Sequence, residues 1–138
     1  MKRFFPILLT IIIALSCDSD RINNKNPYIP NYNFEVVIDM NLPLYSQLQY
    51  PSNAIYIGQG GARGLIVFNT GSGYVAYDAA CPNQNISSCS TLQINGIMAV
   101  CPCDDAQYNL FTGESPDLPY PLKNYRVNQS GSSLIIRN

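Results

Sequence analysis

Histidine is absent from the 138 residues of the chain, and its absence excludes several kinds of active site. Ser-His-Asp and Cys-His nucleophile systems, iron sites of two histidines and one carboxylate, and the usual catalytic zinc sites all need imidazole. Charged residues are also scarce, at 12% of the chain, with 8 basic against 9 acidic residues. A scattered, nearly neutral set of charges offers no basic stripe for phosphate groups, so we expect no nucleic-acid partner.

The start of the chain has the organisation of an export signal. Lys2 and Arg3 form a basic beginning, and residues 4–15 are apolar apart from one proline and one threonine. This run is shorter than the roughly 20 apolar residues that a membrane-spanning helix needs. The pattern therefore predicts a signal peptide over residues 1–16 rather than a transmembrane helix.

The signal ends in a short motif that predicts lipidation. The run Ala14-Leu15-Ser16-Cys17 resembles a bacterial lipobox, in which the cysteine is lipidated and becomes the new N-terminus. We expect a membrane partner through a lipid anchor on Cys17, an unknown envelope protein as a further partner, and a location in the bacterial cell envelope at the periplasmic or outer-membrane surface. The alternative is ordinary cleavage nearby, which leaves Cys17 as a free thiol.

The remaining chain divides into a polar segment and one small domain. Residues 17–33 are rich in asparagine and proline and lack apolar periodicity, which predicts a lipid-anchored tether; a first edge strand is the alternative. Residues 34–138 have a length suited to a single domain. We expect a loop subdomain over residues 80–121 within it.

Short apolar and β-branched segments recur along this domain, with turn residues between them. They predict strands at residues 34–40, 54–57, 65–69, 74–78, 92–95, 97–101, 108–111, 123–127 and 133–137. Asn95-Gly96 predicts a type I′ hairpin, and residues 70–73 predict a second hairpin. No segment supports a long amphipathic helix, so the fold class is all-β, an antiparallel sandwich or barrel.

Glycine is frequent in residues 58–64, where a dinucleotide-binding fingerprint has to be considered. That fingerprint opens a helix, whereas here the apolar residues 65–68 predict a strand. We interpret the segment as a flexible loop.

Four cysteines of the domain lie in two short loop-like segments. Cys81 and Cys89 precede the predicted hairpin at Asn95-Gly96, and Cys101 and Cys103 follow it. The hairpin should fold the two segments toward each other. Four cysteines allow three pairings, of which Cys101 with Cys103 would strain a three-residue loop; the other two pairings stay open.

Four motifs of the domain occur in a familiar order: Tyr77-Asp78-Ala79-Ala80-Cys81-Pro82-Asn83, Cys101-Pro102-Cys103-Asp104, Tyr108-Asn109-Leu110-Phe111-Thr112-Gly113, and Pro119 with the proline-led segment 121–127. Together they resemble the Rieske iron–sulfur domain family. The family has C-x-H, a similar gap, C-P-x-H, a strand ending in T-G and a proline loop. The resemblance spans roughly residues 54–138 and implies a Rieske-like β-sandwich or barrel with an inserted loop subdomain.

The resemblance also implies roles for individual residues. Cys81 and Cys101 match the two thiolate ligands of the family's two-iron two-sulfur cluster, whereas Asn83 and Asp104 stand at the two histidine positions. Because an amide ligates iron poorly and a carboxylate adds negative charge, we expect no cofactor and no metal. The family geometry then implies disulfides between Cys81 and Cys101 and between Cys89 and Cys103.

These residues leave several functions open. The leading hypothesis is a cluster-free lipoprotein with a structural or interaction role, with no catalytic residues and no enzymatic activity. Electron transfer through a 2Fe-2S cluster is the main alternative. Cys81 and Cys101 would then hold one iron, and Asp104, together with Asn83 or a third cysteine, would hold the other. Thiol–disulfide chemistry at Cys101-Pro102-Cys103 and a four-cysteine zinc site are further alternatives.

Overall fold

The computed structural model describes residues 25–138, so the predicted signal peptide, Cys17 and residues 18–24 lie outside the described residues. Almost all regular structure in the described part is β-strand, which confirms the all-β fold class. In chain order the strands are β1 (Glu35–Asp39), β2 (Ala54–Ile57), β3 (Leu65–Asn69), β4 (Tyr74–Asp78), β5 (Gln93–Asn95), β6 (Met98–Val100), β7 (Gln107–Asn109), β8 (Asn124–Ser130) and β9 (Ser133–Arg137). A 3-10 helix at Ser46–Gln49, which the sequence pattern did not predict, lies between β1 and β2. Over residues 25–138, no helix is long and apolar enough to cross a membrane.

The strands form two antiparallel sheets. The larger sheet has the order β1-β9-β8-β4-β3-β2, and the smaller sheet has the order β5-β6-β7. All strand pairs are antiparallel. The smaller sheet is inserted in the chain between β4 and β8.

Strand β3 connects the two halves of the core because both of its faces are buried. Side chains of a strand point alternately to opposite faces. Leu65 and Val67 pack in one cluster with β1 and β9, and Ile66 and Phe68 pack in the other. The second cluster also contains Cys81 and Cys101, so the cysteine loops rest directly on the larger sheet.

The hairpin between β5 and β6 has a different register from the predicted one. Asn95 pairs with Met98, so Gly96 and Ile97 form the two-residue turn instead of Asn95 and Gly96. Gly96 has a φ of 61°, and it is the only residue of this turn with positive φ. A type I′ turn needs positive φ at both central residues, so that prediction was wrong. The predicted hairpin at residues 70–73 is present, closed by the Thr70 N–H donating to the Gly73 carbonyl at 2.9 Å.

The segment at residues 25–33, predicted as part of a tether, packs on the domain. Ile29 is 1% exposed. The Asn26 side chain donates to the Pro82 carbonyl at 2.8 Å, and Lys123 Nζ donates to the Ile29 carbonyl at 3.3 Å. Tyr28 packs edge-on against Tyr120 with 5.9 Å between ring centroids. A segment of polar composition can thus pack on the domain, here through the side-chain amide of Asn26 and the backbone carbonyl of Ile29.

The glycine-rich segment at residues 58–64 is held by the carboxylate of Asp78, which is fully buried. Asp78 Oδ2 accepts from the Ala62 N–H at 2.6 Å and from the Tyr125 hydroxyl at 2.8 Å. Asp78 Oδ1 accepts from the Arg63 N–H at 3.2 Å. Gly61 has a φ of 62°, and an added Cβ would lie 2.5 Å from Asp78 Oδ2. The interpretation as a flexible loop is therefore replaced by a loop with defined hydrogen bonds.

Candidate functional site

Two loops meet at one end of the domain and carry all four cysteines of the described chain. The first loop joins β4 to β5, and the second joins β6 to β7. Cys81 is bonded to Cys101, with Cα atoms 5.7 Å apart, and Cys89 is bonded to Cys103, with Cα atoms 5.2 Å apart. This pairing is the one that the family resemblance implies. We call this region the disulfide end, defined by residues 80–92 and 101–106.

The two disulfides lie in different surroundings. Cys81 is 1% exposed and Cys101 is fully buried, and both belong to the core cluster between the sheets. Cys89 is exposed and Cys103 is only partly buried. The Gln84 side-chain N–H donates to Cys101 Sγ at 2.9 Å, a contact that the sequence pattern did not suggest. One disulfide is thus part of the core, and the other faces solvent.

Asn83, at the first histidine position of the resembling motif, joins two other parts of the chain. Its Nδ2 donates to the Tyr108 hydroxyl at 2.9 Å and to the Tyr120 carbonyl at 2.7 Å. Its Oδ1 accepts from the Tyr120 N–H at 3.0 Å. Both ends of the amide are therefore engaged within the protein, and Asn83 connects the first loop to the proline-rich loop.

Tyr108 lies beneath Asn83 and is buried. Burial raises the pKa of the Tyr108 hydroxyl, and the negative charge of Asp104 raises it further. The hydrogen bond from Asn83 lowers this pKa in part. The hydroxyl is thus held in its protonated form and serves as a hydrogen-bonding group.

Asp104, at the second histidine position, is exposed and bonds within its own turn. Its Oδ1 accepts from the Ala106 N–H at 3.1 Å. The turn is closed by the Asp105 N–H donating to the Cys101 carbonyl at 2.9 Å, and Asp105 has a φ of 59°. Asp104 therefore caps the turn that carries Cys103.

Arg63 reaches the disulfide end from the glycine-rich loop. Its Nη2 donates to the Ser87 carbonyl, and its backbone N–H donates to Asp78. Its Nε is buried without a hydrogen-bond partner in the described structure. Ser87 Oγ lies 3.4 Å from Cys89 Sγ and 3.7 Å from Cys103 Sγ. Neither Arg63 nor Ser87 was identified from the sequence, because they come from separate loops that only the fold brings together.

The donor atoms that a metal ion would need at the disulfide end are already engaged within the protein. Among residues 25–138, no three His, Cys, Asp or Glu side chains converge as a metal-binding group. The sulfurs of Cys81 and Cys101 are bonded to each other, and the two amide ends of Asn83 are engaged. This arrangement does not fit a Rieske cluster, which needs two free thiolates and two imidazoles.

Matches to known proteins are found only among solved structures. No protein-family model and no curated protein matches the chain. A complex of oxygenase and ferredoxin in carbazole 1,9a-dioxygenase matches at 24% identity and a TM-score of 0.46, covering 63% of this chain and 82% of that chain. A ferredoxin of Sphingomonas yanoikuyae B1 matches at 19% identity and a TM-score of 0.47, covering 67% and 93%. A protein assigned as an NADH-dependent nitrite reductase small subunit in Mycobacterium tuberculosis matches at 15% identity and a TM-score of 0.48, covering 78% and 97%.

Proposed function

We propose that the chain is an exported lipoprotein whose Rieske-like domain carries no iron–sulfur cluster and has a structural or interaction role at the bacterial cell envelope. The observation that carries the proposal is the bond between Cys81 and Cys101. These are the two cysteines at the thiolate positions of the resembling motif. A sulfur that is bonded to another cysteine has no thiolate to offer to iron.

The two substituted histidine positions support the same proposal. Asn83 holds the first loop to Tyr108 and Tyr120 through both ends of its amide. Asp104 points to its own turn at the exposed edge. Each residue stabilises a loop by hydrogen bonds, which replaces the mechanical function that a metal ligand would have there.

The lipid anchor on Cys17 would hold the disulfide end near the membrane. Asn26 binds the carbonyl of Pro82, directly after Cys81. The nine residues from Cys17 to Asn26 span at most about 30 Å when fully extended. The disulfide end would therefore lie within about this distance of the bilayer, where an envelope protein is the expected partner.

The absence of a cluster is tested on protein that has been exported with its own signal peptide. Iron, acid-labile sulfide and the visible spectrum are measured on the purified full chain, and peptide mapping without reduction locates the disulfides. We expect no stoichiometric iron or sulfide and two linked peptide pairs. Stoichiometric iron and sulfide with a visible charge-transfer band would overturn the proposal in favour of electron transfer with Cys81, Cys101 and Asp104 as ligands.

The lipid anchor is tested separately by metabolic labelling with an alkyne fatty acid. Wild-type protein should incorporate the label and stay in the membrane fraction, whereas Cys17→Ser should lose both. Ser16→Ala is the matched control, because it keeps a small residue before the cysteine and should still be labelled. Equal labelling of the wild type and Cys17→Ser would exclude the anchor at this position.

A further inference from the structure

The disulfide between Cys89 and Cys103 is more accessible to solvent than the disulfide between Cys81 and Cys101. Thiol–disulfide exchange needs an attacking thiolate to reach one of the bonded sulfurs. Cys89 is an exposed residue and follows four other exposed residues, 85–88. Cys81 and Cys101 are enclosed in the core.

A hydroxyl group lies beside the exposed disulfide. Ser87 Oγ is 3.4 Å from Cys89 Sγ and 3.7 Å from Cys103 Sγ, so it can donate a hydrogen bond to either sulfur. The guanidinium of Arg63 binds the carbonyl of the same serine. A hydroxyl that donates a hydrogen bond favours negative charge on a departing sulfur.

We propose that Cys89–Cys103 is a site of reversible thiol–disulfide exchange with a dithiol. One thiolate of the dithiol attacks Cys89 Sγ, a mixed disulfide forms, the Sγ–Sγ bond breaks, and its electron pair leaves on Cys103 Sγ, which takes up a proton. The second thiol of the dithiol loses its proton and attacks the dithiol sulfur of the mixed disulfide. The bond from that sulfur to Cys89 Sγ breaks, and Cys89 leaves as a thiolate that takes up a proton. The dithiol is oxidised to a disulfide, and Cys89 and Cys103 are reduced to two thiols.

The loop remains organised after this bond opens. The Ser87 N–H donates to Ser90 Oγ at 2.7 Å, and Ser90 Oγ donates to the Ser87 carbonyl at 3.0 Å. The Cys81 N–H donates to the Ser90 carbonyl at 2.9 Å, so the turn is attached to the buried disulfide. The two released thiols therefore stay near each other, which makes the exchange reversible. The proposal goes beyond the structural role and does not depend on the lipid anchor.

The Cys101-Pro102-Cys103 stretch is not the exchanging pair. Its two cysteines belong to different disulfides, and Cys101 is fully buried. The structure instead assigns the exchange to Cys89 and Cys103, which are 14 residues apart in the sequence.

The test follows both disulfides during reduction of the purified full chain. Dithiothreitol is added under native conditions, and free cysteines are alkylated at time points and located by mass spectrometry. We expect Cys89–Cys103 to open at least about tenfold faster than Cys81–Cys101, because rates follow access, while far- and near-ultraviolet circular dichroism stays native. Opening of both bonds at the same rate, or only together with loss of the native spectrum, would overturn the proposal.

Two further measurements test the geometry and the source of the dithiol. Ser87→Ala should slow the opening of Cys89–Cys103 by about threefold, whereas Ser88→Ala, an exposed neighbour, should not change the rate. An unchanged rate in Ser87→Ala would remove the assigned role of the hydroxyl. Reduced thioredoxin and a small dithiol are then compared as reductants at equal thiol concentration. Selective opening of Cys89–Cys103 by either reductant supports the exchange, and opening by neither overturns it.

Discussion

Asn83 shows at the scale of one residue how a single side-chain amide can hold two loops together. An amide carries a donor and an acceptor, and here the donor binds two oxygens while the acceptor binds a backbone N–H. Asn83 is therefore a structural element that joins the first loop to Tyr108 and to the proline-rich loop.

Asn83→Ala tests this role. The substitution leaves a partly buried Tyr120 N–H and carbonyl without their partner, so the free energy of unfolding should fall by about 1–3 kcal/mol. Urea denaturation of the oxidised protein measures it. Asn85→Ala, in the exposed part of the same loop, is the matched control and should change stability by less than about 0.5 kcal/mol. Equal stabilities of the two variants would contradict the bridging role.

At the scale of elements, the glycine-rich loop depends on a carboxylate from the end of strand β4. Asp78 accepts four hydrogen bonds, from the N–H groups of Ala62, Arg63 and Ala80 and from the Tyr125 hydroxyl. Both carboxylate oxygens are needed, because each accepts two of these bonds. The same loop positions Arg63 at the disulfide end, so the loop conformation and the surroundings of Ser87 are linked.

Asp78→Asn tests the loop at constant shape. The amide NH2 would replace one carboxylate oxygen and would then face hydrogen-bond donors instead of accepting from them. The loss of these charge-assisted hydrogen bonds should lower the free energy of unfolding by about 2–4 kcal/mol. Denaturant unfolding gives the value. Asp39→Asn serves as the control, since its partly exposed side chain accepts from the Asn41 N–H through one oxygen only, and the substitution should be nearly neutral.

The segment at residues 25–33 is a second element whose role follows from packing. Ile29 is buried although the surrounding sequence is polar. Ile29→Ala should lower the free energy of unfolding by about 2–4 kcal/mol, the usual range for removal of a buried isoleucine side chain. Ile86→Ala, at an exposed position, should be nearly neutral. A protein that begins at residue 34 and is as stable as one that begins at residue 25 would contradict the contribution of this segment.

At the scale of the whole molecule, the pH dependence of stability is set by tyrosine and lysine instead of histidine. Burial raises the pKa of Tyr77 to about 12, and burial followed by the charge and hydrogen bond of Asp78 raises the pKa of Tyr125. Burial lowers the pKa of Lys123, although the charge of Asp78 acts in the opposite direction. The sequence has no histidine, the side chain whose ordinary pKa lies closest to neutral pH.

Stability should therefore change little close to neutral pH and fall above about pH 10, where tyrosines of the unfolded chain lose their protons. Tyrosines in the unfolded chain lose protons near pH 10, whereas folded Tyr77 keeps its proton until about pH 12, so rising pH favours the unfolded state in this interval. The effect of Tyr77 alone reaches about 3 kcal/mol at the upper end. Lys123 has the opposite effect, because the folded state releases this proton at a lower pH than the unfolded state does. Stability therefore rises with pH in the interval below the ordinary lysine pKa of 10.5.

Denaturant unfolding at a series of pH values, together with the ultraviolet absorbance of tyrosinate, measures this profile. Tyr77→Phe should give a shallower fall above pH 10 than the wild type, because one of the protected protons is removed. Tyr50→Phe, at an exposed position, should follow the wild-type profile. A steep change of stability near neutral pH would contradict the assignment.

The strands and the cysteine loops were accessible from the sequence because they depend on local patterns. Short apolar segments between turn residues marked all nine strands of the described part, although β8 extends to Ser130 and forms a turn with β9 that was not foreseen. The hairpin at Gly96 was found one residue out of register. The position of the turn depends on the register in which the two strands pair as well as on the turn sequence, and the strand register is not visible in the residues of the turn alone.

The sequence by itself determined the all-β class, the absence of imidazole chemistry and the crowding of four cysteines, since each follows from composition or from local spacing. The tertiary structure decided which cysteines are buried, that Asn83 binds Tyr108 and Tyr120, and that Arg63 and Ser87 lie beside the exposed disulfide. It also decided that the segment at residues 25–33 packs on the domain. The physical reason is that burial and hydrogen bonding between distant residues depend on which loops are brought together by the fold. The residues near each position in the sequence do not contain this information.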